Sequence, residues 1–92
     1  MSPLAAETEA EIWGRTIQPE NGNLSPEAAR ALLELSLRPG DMQRVNELFA
    51  RLRDNVLTDA ESRELDSFTN VGRALELLKA KARRSLREKP SR

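Results

Sequence analysis

Cysteine, histidine and tyrosine are all missing from this 92-residue chain, and the absences remove whole classes of chemistry. Without Cys or His there are no disulfides, no thiolate or imidazole catalyst, and none of the common zinc ligand sets. Aromatics amount to 3% and β-branched residues are sparse, which disfavours a sheet. No apolar run approaches the roughly 20 residues of a membrane span, and Met-Ser-Pro-Leu at the start lacks a charged segment leading into an apolar core. The expectation is a cytoplasmic protein without membrane attachment. With no Gly-rich phosphate cradle either, nothing assembles a nucleophile, a base and an oxyanion stabiliser. The chain therefore reads as non-catalytic, with no metal, cofactor or small-molecule substrate.

What is present is helix-forming material, because Leu, Ala, Glu and Arg dominate. Hydrophobic residues make up 38% of the chain, but many are Ala, so large side chains available for burial are few. At 92 residues the chain fits one domain near the lower range where a single core suffices, and a lone monomer is marginal. Net charge is zero, from 15 basic and 15 acidic residues, yet the charges are segregated. From Lys79 onward seven basic residues face only Glu88, giving a basic C-terminal tail over 79–92.

Four helices are expected. The first covers about Ala5 to Ile17, with Ile12, Trp13 and Ile17 on one side and acids near its start. It ends at Gln18-Pro19-Glu20-Asn21-Gly22, where Pro and the Asn-Gly pair break the pattern. A second helix opens at Ser25 as N-cap with Pro26 in the first helical position, and Arg38-Pro39-Gly40 closes it. Asp41 is expected to cap a third, whose Val45, Leu48, Phe49, Leu52 and Val56 recur at threes and fours and read as a core-facing stripe. Thr58-Asp59-Ala60-Glu61 is a capping box. From it one long helix is expected to reach Glu88, with Leu65, Phe68, Val71, Leu75, Leu78, Ala82 and Leu86 in an unbroken stripe. Gly72 is its weak point and suggests a close crossing or a bend.

Such a helix spans about 45 Å, whereas a compact globule of this length has a radius of gyration of about 12 Å. The sequence thus predicts an all-α fold, four helices with the last one long and projecting from a small bundle. On that projecting half Leu75, Leu78, Ala82 and Leu86 are the candidate partner-binding residues. The partner is a second copy, making a homodimer, or another protein. The alternative is a small nucleic-acid-binding protein acting through Lys79, Lys81, Arg83, Arg84 and Arg87, since clustered cations release counterions from phosphates. That tail has no interleaved aromatic for stacking on bases. The second and third helices across a Gly-containing turn have the outline of a helix-turn-helix, but acids on the third would face phosphates. Gly22 followed by Glu27 suggests part of a calcium loop, but the first, third and last ligand positions fall on Ile17, Pro19 and Ala28.

Three stretches carry a likeness to a known family: Ile17 to Arg30, Leu57 to Leu65, and Val71-Gly72 with Leu77 to Arg83. In order and content they make the chain similar to a family of short, poorly characterised bacterial proteins, often encoded beside an HNH-type endonuclease. The resemblance implies a two-gene module resembling toxin and antitoxin, in which this chain is the non-catalytic, antitoxin-like member.

Overall fold

A computed structural model describes residues 6–88; Ala5, the expected start of the first helix, and Lys89 and Arg92 of the tail lie outside them. The fold is all-α, with α1 at Glu9–Ile17, α2 at Pro26–Leu33, α3 at Pro39–Arg53 and α4 at Asp59–Glu88. No helix among the described residues is long and apolar enough to cross a membrane.

Local chemistry accounts for each terminus. α1 starts with a capping box: Glu11 N–H donates to Thr8 Oγ1 (3.1 Å) and Thr8 N–H to Glu11 Oε1 (2.9 Å). It stops where Gln18 turns left-handed, φ 56°, with its N–H on Gly14 O at 3.0 Å. α2 opens as expected, with Ser25 Oγ accepting from Ala28 N–H (3.1 Å) and Pro26 at the first position. It ends at Leu33, and Arg38-Pro39-Gly40 does not close it. Pro39 instead opens α3 behind an extended Arg38, because a proline forces its predecessor out of the helical region and sits well at a first position. Asp41 is accordingly inside the first turn rather than the cap. α3 closes with Asn55 left-handed at φ 60°, Val56 N–H on Arg51 O (2.9 Å) and Asn55 N–H on Leu52 O (3.0 Å), a Schellman closure. The Thr58–Glu61 capping box then starts α4, with both bonds at 3.1 Å. α4 runs unbroken through Asn70 and Gly72. A Cβ at Gly72 would have nothing within 4 Å, so a close crossing does not explain that glycine.

Among the described residues contacts gather in two compact units, one of residues 6–35 with 73–88 and one of residues 36–72. In the first, α1, α2 and the second half of α4 come together around Ile17, Ala29, Ala82 and Ser85, all buried. In the second, α3 and the first half of α4 form an antiparallel hairpin. Its buried residues are Leu48 and Leu65, and it is laced by Arg44 to Glu64 and Arg51 to Glu61.

Two expectations are corrected here. The second half of α4 is not left projecting, since the chain's own N-terminal segments cover it within the first unit. The α3 stripe is not core-facing as a whole. Of Val45, Leu48, Phe49, Leu52 and Val56, only Leu48 is buried, and Phe49, Leu52 and Val56 are 49%, 50% and 62% exposed. At 100° per residue, Arg44, Leu48 and Arg51 share a sector of about 60°, and that sector faces α4. Ion pairs therefore flank the buried Leu48 and Leu65 in the hairpin, while Phe49, Leu52 and Val56 look outward.

Candidate functional site: an exposed apolar face on α3

The α4 residues singled out from the sequence are placed as follows. Ala82 is completely buried within the first unit, so it has no surface to offer a partner. Leu75, Leu78 and Leu86 are half-buried. The loop after α1 packs against the helix at Ser85. Leu24 N–H donates to Ser85 Oγ (3.1 Å), and Ser85 Oγ–H donates to Lys81 O (2.8 Å). The loop comes so near that a Cβ at Gly22 would sit 2.8 Å from Glu88 Oε1 and 3.0 Å from the Ser85 backbone nitrogen. Small residues at 82 and 85 give the backbone room to approach, and the buried serine hydroxyl satisfies a backbone donor there.

The basic residues divide in the same way. Lys81 Nζ donates to Ile17 O (2.8 Å) and Gln18 O (3.4 Å), where it satisfies terminal carbonyls of α1 and complements the helix dipole. Arg84 pairs with Glu88 at 2.6 Å. Arg83 has only a 3.9 Å approach to Glu76. Among the described residues, Lys79 and Arg87 make no ion pair.

In the second unit, Arg44 Nε and Nη2 each donate to Glu64 at 2.8 Å, a two-pronged bond across the hairpin. Arg51 pairs with Glu61. Both carboxyls are held below their ordinary value. For Glu61 the main cause is the Thr58 backbone N–H, with Arg51 adding to it; for Glu64 it is the Arg44 guanidinium. The same bond holds the Arg44 guanidinium more firmly protonated. These groups fasten α3 to α4 by one side. The adjacent sector, about 80° wide, carries Met42, Val45, Phe49 and Leu52. Val45 is half-buried, while Met42, Phe49 and Leu52 are 54%, 49% and 50% exposed. Val56 lengthens the patch into the turn.

Sequence periodicity grouped the stripe correctly but assigned it to the interior. Met42 was missed, although it lies three residues before Val45 on the same spacing. Trp13, grouped with Ile12 and Ile17 on one side of the first helix, is 37% exposed, with its indole N–H on Glu9 Oε2 at 3.1 Å. Among the described residues no group of three or more acidic side chains could hold a metal ion. No family model, curated protein or solved structure matches the chain.

Proposed function

We propose that this chain is a non-catalytic protein-interaction module that docks through the α3 face of Met42, Val45, Phe49 and Leu52. The observation that carries this reading is the exposure of three large apolar side chains on one face of a 15-residue helix. Scattered apolar residues on a surface need no explanation, but a contiguous patch of them marks an interaction site. The resemblance drawn from the sequence supports a finer form, an antitoxin-like partner or regulator of a nuclease. The half-buried Leu75, Leu78 and Leu86 are secondary to this surface, and Ala82 is no part of it.

The test is a photocrosslinking amino acid, p-benzoylphenylalanine, placed at position 49 in the expressing cell, with position 30 as an exposed control. A discrete adduct from position 49 and none from position 30 is expected. Uncrosslinked chain at both positions overturns the reading.

A second reading, binding of nucleic acid, rests on Lys79, Arg83 and Arg87, whose charges are not consumed by close pairs among the described residues. Lys81 and Arg84 are engaged within the chain, so the cationic surface is smaller than the sequence count suggests. Anisotropy of labelled duplex DNA distinguishes the two: steeply salt-dependent binding supports the second reading, and no binding at low salt removes it.

A further inference from the structure

We infer that the occupant of the α3 face is a second copy of the same face, packed antiparallel across a two-fold axis near position 47. This rests on the interaction reading above and specifies it.

The first support is the spacing of the apolar residues. Positions 42, 45, 49 and 52 are separated by three, four and three residues, a palindrome centred on 47. A two-fold axis perpendicular to the helix reverses one copy against the other, so that residue i meets j and j meets i. Met42 then lies level with Leu52 of the second copy, and Val45 with its Phe49. Each apolar side chain meets another of its kind, and no polar group is buried without a partner. Three, four and three is the ordinary spacing of an apolar helical stripe, so the palindrome admits the two-fold pairing, and area and charge select it.

The second support is area. At their observed exposures Met42, Phe49 and Leu52 present roughly 300 Å² of apolar surface, taking ~150–220 Å² for each residue fully exposed. A standard interface takes about 800 Å² per partner, a little over half of it apolar, or about 450 Å². The face supplies about two thirds of that amount, which suits a weak, reversible dimer rather than an obligate one.

Charge placement is compatible as well. The levels that meet carry Met42, Val45, Asn46, Phe49 and Leu52, all uncharged. The nearest charges are Asp41 at one end and Arg53 at the other. In the antiparallel pair, like copies of either one are separated along the axis by about 18 Å, beyond the Debye length of about 8 Å at physiological salt. A membrane surface or nucleic acid is a poorer occupant, because the face itself carries no cation and Asp41 flanks one end of it.

Sedimentation equilibrium of the full chain tests the pairing. The wild type is expected to show a monomer–dimer equilibrium, and Phe49→Asp to weaken it at least about tenfold, since a carboxylate would be buried at the centre of an apolar contact. Met42→Glu is the second variant, at a position 54% exposed, with far-UV circular dichroism confirming retained helix in both. Register is read with cysteines, which the chain lacks. A mixture of Met42→Cys and Leu52→Cys chains should crosslink heterotypically with a short bis-maleimide. Either alone should not, because its two thiols are then about 15 Å apart along the axis. A wild type that stays monomeric at millimolar concentration, a dimer indifferent to both charged variants, or dominant homotypic crosslinks overturns the inference. If the chain is monomeric while position 49 crosslinks to a different protein, self-pairing falls and the interaction reading stands.

Discussion

Ser85→Ala separates the structure from local helix propensity, because the two predict opposite signs. Ser85 is completely buried on α4, accepts the Leu24 N–H at 3.1 Å and donates to Lys81 O at 2.8 Å. Removing the hydroxyl leaves the Leu24 N–H without its partner in a half-buried place, a loss of ~1–2 kcal/mol. Alanine is the better helix former and returns about 0.5 kcal/mol. The net expectation is destabilisation of about 0.5–1.5 kcal/mol, which at an m-value near 1 kcal/mol/M lowers the urea midpoint by a similar number of molar units. Trp13, the only tryptophan, lies in the same unit and reports the transition by fluorescence. A midpoint that stays put or rises would mean that Ser85 is an ordinary helical serine and that the loop does not press on it.

Two glycines give a matched pair. Gly22→Ala should destabilise by about 1–3 kcal/mol, as an added methyl meets the Ser85 backbone. Gly72→Ala should stabilise by about 1 kcal/mol, as the methyl meets nothing within 4 Å; both are measured by urea unfolding, and equal effects of one sign would contradict the packing described. Acid should also act on the hairpin. Glu61 and Glu64 titrate below their ordinary 4.5 in the folded state, so the unfolded chain binds protons first as pH falls. Their contribution is therefore complete above pH 4.5 and disappears as pH drops through the lowered folded values. A thermal midpoint that rises on acidification in that window would contradict the assignment, and Glu64→Gln should flatten the fall.

Much of the secondary structure was legible because helix ends are local. The Ser25-Pro26 start and the Thr58–Glu61 box behave as their residues predict. The same grammar also held at places where it went unread. Thr8-Glu9-Ala10-Glu11 repeats the pattern of Thr58-Asp59-Ala60-Glu61, and Pro39 occupies a first position as Pro26 does. What the sequence did not disclose is direction. Periodicity says that Met42, Val45, Phe49 and Leu52 share a face, but not which face meets α4; that was decided by Arg44 and Arg51 finding Glu64 and Glu61 across the turn. Nor does it disclose contacts between residues far apart. Ala82 read as partner-facing because its burial depends on segments far away in the chain, and Ser85, passed over in the sequence, finds its partner 61 residues earlier, at Leu24.

The claim that the apolar face of α3 is open while the end of α4 is sheathed by its own chain is tested most directly by thiol reactivity. A chain without cysteine allows Phe49→Cys and Ser85→Cys to be labelled singly in dilute native protein, each referred to its own rate in urea. The thiol at 49 should react at nearly its unfolded rate, and the thiol at 85 orders of magnitude more slowly, limited by local opening. Rapid labelling at 85 together with protection at 49 would place the free surface on the last helix and contradict the account.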